Sequence, residues 1–278
     1  MMARPFVKMN GAGNDFVVVN ALETPFAPTA DQARAIADRQ TGQGCDQLIG
    51  IEPSDSADAF MRVWNADGGS VETCGNALRC VGWMLLQSTG KDEVSIDTLG
   101  GLTTARRALD GRVTVDMGAP RLDWDQIPLD EAMDTRGIEL QLGPIDAPVL
   151  HTPGAVSMGN PHVVFFMDHA PDDAFVRGMG SLVEHHPRFP EGVNVGFAQV
   201  IAPGHIRLRV WERGAGLTKA CGTGACAALV AAARRGLTGR TATVEVDGGE
   251  LLIEWDEASD HVFMTGPVEV ERTGALSV

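Results

Sequence analysis

Lysine is scarce in this chain, with three in 278 residues: Lys8, Lys91 and Lys219. A pyridoxal phosphate enzyme needs a lysine for its Schiff base, so few candidates exist for that chemistry. Lys219 reads as a solvated loop charge. Positive charge as a whole is in deficit: 22 Lys and Arg stand against 37 Asp and Glu, a net charge of -15. A field of that sign repels nucleic acid and anionic membrane, which argues against both as partners. No stretch approaches the roughly 18 to 20 apolar residues that cross a bilayer. The opening MMARPFVKMNGAGND has no apolar core of signal-peptide length. There are five cysteines. That odd count, at spacings unlike a secreted disulfide framework, points to a reducing cytoplasm.

What remains is the composition of a globular protein, 44% hydrophobic and 21% charged. The length suits one large domain or two of about 140 residues. A long, weak repeat favours two. GNDFVVV at Gly13 to Val19 resembles GNPHVVFF at Gly159 to Phe166, and GCDQLIG at Gly44 to Gly50 resembles GVNVGF at Gly192 to Phe197. Trp64 and Trp211 each stand ten residues before a Cys-Gly pair, and MGAP at Met117 to Pro120 resembles TGPV at Thr265 to Val268. The offset is 146 from Asn14 to Asn160, 147 from Trp64 to Trp211 and from Cys74 to Cys221, and 148 from Gly118 to Gly266. Landmarks that hold so constant a spacing mark a duplication. We therefore expect one half over residues 1–120, a second over 121–266 opening with an Asp- and Pro-rich linker (Arg121 to Asp130), and a final segment, 267–278, returning to the first half.

Both periodicities occur in each half. Val17 to Val19, Val113 to Val115, Val163 to Phe166, Ile206 to Trp211 and Ala242 to Val246 read as strands. Thr29 caps a helix running to about Asp38, and Asp172 to Glu184 reads as another despite Gly178 and Gly180. Ala77, Leu78, Val81, Met84 and Leu85 recur at helical spacing, and Ala225 to Arg235 is almost wholly Ala, Leu and Val. Helices apolar on nearly every side are buried helices. The pattern predicts an α+β fold, each half a curved, mainly antiparallel sheet around a central helix, and not a doubly wound parallel sheet.

ETCGNALRC and KACGTGAC place Cys74 and Cys221 at the starts of those two helices. An isolated cysteine is ordinarily a small buried apolar residue, and Cys45, Cys80 and Cys226 read so. Packing alone does not require the same Gly-flanked helix start twice. The first N–H groups of a helix lack intrahelical partners and favour negative charge. A thiol there is expected to have its pKa lowered from about 8.5, and Gly75 and Gly222 let a carboxylate approach the N–H groups. If the halves face each other, two thiols flank one carbon, the arrangement needed to invert a carbon acid with two bases. Other chemistries fit less well. Gaps of six and five positions separate Cys74 from Cys80 and Cys221 from Cys226, whereas zinc pairs want about two to four. The G-x-G-x-x-A match at Gly222 to Ala227 is a lone one, with no tight strand–turn–helix unit and downstream acidic partner to support a dinucleotide site, and a cysteine protease would not explain a second copy.

Six segments, MNGAGNDF, GCDQL, WNADGGSVETCGNALRC, GNPH, EGVNV and WERGAGLTKACGTGA, resemble the diaminopimelate epimerase family in order and over most of the chain. The resemblance implies that family's fold and a cofactor- and metal-independent interconversion of LL- and meso-diaminopimelate, serving lysine and peptidoglycan biosynthesis. It implies Cys74 and Cys221 as the acid/base pair. Gly75, Asn76, Gly222 and Thr223 would hold the reacting carboxylate. Asn14, Gln47, Asn65, Asn160, Asn194, Glu212 and Arg213 would bind the rest of the substrate, with Glu212 and His162 also supporting catalysis; an ordinary structural histidine is the other reading of His162. The residues suit the task, since a substrate with two ammonium and two carboxylate groups needs donors, acceptors and both charges. A cytoplasmic homodimer is implied as well. Two positions depart from the family pattern, Ala77 where a glycine is usual and Leu217 where a glutamate is. The alternatives are a proline or hydroxyproline racemase-like enzyme of the same fold, or a non-catalytic amino-acid-binding protein.

Overall fold

The computed structural model describes residues 3–277. It divides into two compact units, one formed by the residues up to Asp116 together with those from Thr265 onward, the other by Met117–Met264.

The first unit opens with Ala3–Gly11 and Asn14–Asn20, antiparallel with Gly11 opposite Asn14. Their two-residue turn has positive φ at both Ala12 (58°) and Gly13 (93°), the left-handed geometry that a tight hairpin requires. Helix α1, Ala30–Ala37, then crosses over to Gln47–Glu52, which pairs parallel with Asn14–Asn20. Thr29 caps α1 in a full capping box with Gln32, as its sequence predicts. Ala59–Asn65 returns antiparallel. Helix α2, Gly75–Thr89, crosses over to Glu93–Asp97, again parallel to its predecessor. Thr103–Arg107 and Val113–Asp116 complete an antiparallel run. Glu269–Ser277 pairs antiparallel with Ala3–Gly11 along its length.

Helix α2 packs against five of these strands and α1 lies against two others. Phe16 to Val19 are therefore all fully buried, because a sheet covered on both faces loses its alternation. Helix α2 is not apolar throughout: Arg79 is fully buried on it. Gly11 leaves room for that guanidinium, since a Cβ there would lie 3.3 Å from Nη2.

The second unit repeats the plan. Gly154–Ser157 and Pro161–Phe166 are antiparallel. Helix α3, Asp173–Glu184, crosses over to the parallel strand Asn194–Ala202. His205–Glu212 returns antiparallel, followed by the short Gly216–Thr218. Helix α4, Gly222–Arg234, crosses over to Thr241–Val246, parallel to His205–Glu212, and Gly249–Trp255 closes a hairpin. Helix α4 touches six strands of its own unit. Gly154 admits it closely, since an added Cβ would meet Ala231 at 3.0 Å.

The fold is thus α+β with mainly antiparallel sheet around buried helices, and each unit adds two parallel pairs that strand periodicity alone does not disclose. One detail is corrected: Arg121 to Asp130 is more than a linker. Ile127 and Leu129 are buried in the second unit's apolar cluster with Phe165, Phe197 and Val183, because their side chains gain more from that core than from water. Among the described residues, no helix is long and apolar enough to cross a membrane.

Candidate active site

The residues singled out in the sequence fall into two groups, one in each unit. In the first, Cys74 is the N-cap of α2 in an extended conformation (φ -146°, ψ 114°) and is half-buried. The backbone bond from Leu78 N to Cys74 O, 2.9 Å, is the first of the helix, so the N–H groups of Gly75, Asn76 and Ala77 lie ahead of the intrahelical ladder. Asn76, 1% exposed, donates from Nδ2 to Asn14 Oδ1 at 3.0 Å. Asn14 in turn donates to Asp46 Oδ2 at 2.8 Å. Arg39 bonds Asp46 and Asp15 together, and Lys8 pairs with Asp15. Those two cations hold the Asp15 carboxyl far below the usual carboxylate range, against the opposing effect of burial.

The network dictates how the amides point. The Asp46 carboxylate takes a bond from the Asn14 NH2, so the Asn14 oxygen faces Asn76 and the Asn76 NH2 faces Asn14. Asn76 Oδ1 is left buried without a donor, as is Gln47 Oε1, whose own NH2 donates to Asn65 Oδ1 at 2.9 Å. A buried acceptor without a partner costs about 1–3 kcal/mol. Two of them in one unit suit a ligand rich in N–H donors.

In the second unit, Cys221 is the N-cap of α4 (φ -128°, ψ 108°) and is buried. Its Sγ accepts from Gly224 N at 3.3 Å and lies 3.5 Å from Thr223 Oγ1. The expectation of a lowered pKa fails here. Burial, then the negative charge of Glu212, push the thiol well above its ordinary value, overriding Thr223 and the Gly224 N–H. The helix end alone does not compensate for lost water. Glu212 also accepts from the Thr218 hydroxyl.

Asn160 Nδ2 donates to Thr223 Oγ1 at 3.4 Å, while its Oδ1 lies 2.9 Å from His162 Nε2. His162 is 1% exposed, and burial, with the nearby Arg213 charge, pushes its pKa down to about 3. It is a neutral imidazole that donates to the Asn160 amide oxygen. Asn194 Oδ1 accepts from Arg213 N at 2.9 Å, and Arg213 Nη1 donates to Glu191 O at 2.9 Å. Gly192 makes way for the arginine stem: its φ is +72° and an added Cβ would meet Arg213 Cδ at 3.0 Å. Leu217 packs against the apolar cluster beside Trp211, so the position where the family carries an acid here serves packing.

Two residues escaped the sequence reading. Asp46 stands beside Gln47 in GCDQL, but its part is visible only once Asn14 lies next to it. Glu184 ends α3 and binds Trp211 and Gly214; the one signal in the sequence is an acid where the repeat places Ala37 in the first half. Cys45, Cys80 and Cys226 are buried. Burial raises the Cys45 thiol to about 11 and the Cys80 thiol to about 12; what sets them apart from Cys74 and Cys221 is that neither is the N-cap of a central helix. Among the described residues, no three His, Cys, Asp or Glu side chains group as metal ligands.

The family model for diaminopimelate epimerase matches residues 6–122 and 154–271. The diaminopimelate epimerase of Caulobacter sp. (strain K31) is 62% identical, over 99% of this chain and 98% of its own length. That of Phenylobacterium zucineum (strain HLK1) is also 62% identical, over 99% of this chain and 98% of its own. Among solved structures, a hydroxyproline epimerase from Agrobacterium vitis has a TM-score of 0.67 at 17% identity, covering 99% of this chain and 93% of that one. That likeness concerns the fold alone.

Proposed function

Since the chain belongs to the diaminopimelate epimerase family, we propose that it interconverts LL- and meso-diaminopimelate by a two-base reaction, with Cys74 and Cys221 exchanging the α-proton on opposite faces of the carbon. The observation that carries this reading is the repeated helix start: each unit places a cysteine at the N-cap of its central helix, followed by a glycine.

The chemistry follows from the residues. A thiolate takes the α-proton, and the thiol opposite returns one. Cys221, held protonated by burial and by Glu212, suits the donor role when the α-proton leaves toward Cys74; the roles reverse for the other isomer. As the proton departs, the α-carboxylate gains enolate charge. In this reading the N–H groups ahead of each helix ladder, at Gly75 and Asn76 and at Gly222 and Thr223, would stabilise it without reorganising. The orphaned oxygens of Asn76 and Gln47 suit an ammonium, Arg213 a carboxylate, and Asn65, Asn160 and Asn194 the remaining polar edges. Neutral His162 orients Asn160. The same reading makes the protein a cytoplasmic homodimer that supplies lysine and peptidoglycan biosynthesis and needs no added cofactor.

The test is incubation of the purified protein with LL- or meso-diaminopimelate in heavy water. Deuterium should enter the α-carbon as the pure isomer becomes a mixture. Exchange into L-proline or hydroxyproline but not diaminopimelate would assign the racemase chemistry instead. Binding of diaminopimelate without exchange would leave an amino-acid-binding protein.

A further inference from the structure

We propose that Glu184 is a positioning residue that clamps the turn carrying Arg213, and thereby sets where that guanidinium meets the substrate carboxylate; the inference rests on the substrate role given to Arg213 above. Glu184 is the last residue of α3 and is 7% exposed. An acid so far out of water is tolerated only with its oxygens engaged. Both are: Oε2 accepts from Trp211 Nε1 at 2.7 Å, and Oε1 from Gly214 N at 2.8 Å. The two donors bracket Glu212 and Arg213 in the chain, so one carboxylate holds the segment at both ends.

The segment needs holding. Gly214 and Gly216 have φ of 75° and 84°, left-handed geometry that glycine adopts without a Cβ penalty. Glu212 is fixed in the ladder opposite Gly216, while Arg213 and Gly214 lie in the turn beyond it, where Asn194 Oδ1 accepts from Arg213 N and Glu184 Oε1 from Gly214 N. Helix α3 is shaped to seat the partner. Gly180 lies one turn before Glu184 on the same face, and an added Cβ there would lie 2.4 Å from Trp211 Cγ. The glycine that weakens the sequence pattern of α3 is thus the floor under the tryptophan, and Glu184 is the bond to its edge.

The duplication separates positioning from folding. In the first unit the equivalent of Glu184, 147 positions earlier, is Ala37, the last residue of α1. The equivalents of Trp211 and Arg213 are Trp64 and Ala66. That unit builds its helix, its tryptophan and its turn with no acid at this place. The acid appears where the turn carries a functional arginine. A carboxylate is needed because two N–H donors converge on it; glutamine has one acceptor oxygen and would turn its own NH2 toward the second donor.

The decisive variant is Glu184→Gln, checked for folding by its unfolding transition. KM for diaminopimelate should rise about tenfold, with kcat within about threefold, as expected when a charged hydrogen bond that orients a binding group is lost. The Gly214 amide should move in the nitrogen–proton spectrum and exchange faster with solvent. A folded variant whose KM stays within about twofold of wild type, or whose Gly214 amide is unmoved, would overturn the proposal. If E184Q does not fold, Trp211→Phe, which deletes one donor, takes its place in both measurements with the same criteria. A wild-type chain that leaves both isomers untouched would fail the functional reading but not the clamp, which the Gly214 amide then decides.

Discussion

Cys74 and Cys221 open their helices with nearly the same backbone, yet only Cys221 folds its side chain back to cap its helix. The repeat supplies a reason. The position matching Gly224 in the first half is Ala77. A Cβ at Gly224 would stand 3.2 Å from both Cβ and Sγ of Cys221, tighter than ordinary contact. Ala77 carries such a Cβ, and the thiol before it does not take the capping place. The departure from the family pattern at Ala77 therefore coincides with a different setting for the first thiol. The surroundings differ in kind as well. The first unit offers the amides Asn14, Gln47, Asn65 and Asn76 with ion pairs behind them; the second offers two amides, Asn160 and Asn194, together with Glu212, Arg213 and a neutral imidazole. Duplication has kept the backbone and let the charges diverge.

That comparison can be broken in three ways. The largest effect is expected from removing either thiol: Cys74→Ala and Cys221→Ala should each lose at least ~10²-fold in epimerisation, the usual scale for a general acid or base. A variant that keeps full activity would show that the two helix starts are not functional equivalents. Next comes Gly224→Ala, which gives the second helix start the side chain of the first. Cys221 should leave its capping position at a cost of about 1 kcal/mol in unfolding free energy, and should alkylate faster as it leaves the site that holds its proton. Unchanged alkylation would mean that something other than this glycine separates the two thiols.

The smallest effect concerns pH. His162 takes the place of Phe16 in the repeat, and its folded pKa of about 3 lies below the unfolded value of about 6.5. The unfolded state binds the proton more readily, so this contribution is fully present above about pH 6.5 and is lost as pH falls toward the folded value. Denaturant midpoints of His162→Phe should fall less than those of wild type across that window. Parallel curves would show that the imidazole is not buried in its neutral form.

Much of this was legible in the sequence, and the remainder has a common cause. The helices after Cys74 and Cys221 announce themselves because burial on all sides writes an apolar run, and Thr29 with Gln32 writes its own cap. Asn14, Asn160 and the tryptophans disclose the duplication through spacing alone. What stayed hidden depends on neighbours remote in the chain. The parallel pairing of Asn14–Asn20 with Gln47–Glu52 leaves no trace in either strand's period. Gly180 looks like a flaw in a helix until Trp211 is set against it. The raised Cys221 thiol reverses a rule that holds for exposed helix ends, because depth and Glu212 enter only with the tertiary structure.

The strand Glu269–Ser277, laid along Ala3–Gly11, has a consequence for synthesis. The second unit is one continuous stretch, whereas the first lacks a strand until the whole of the second has been translated. As the chain emerges from the ribosome, the half written first is finished last. The edge of Ala3–Gly11 that this strand covers stays open through that interval, as a stretch of exposed backbone in need of a partner.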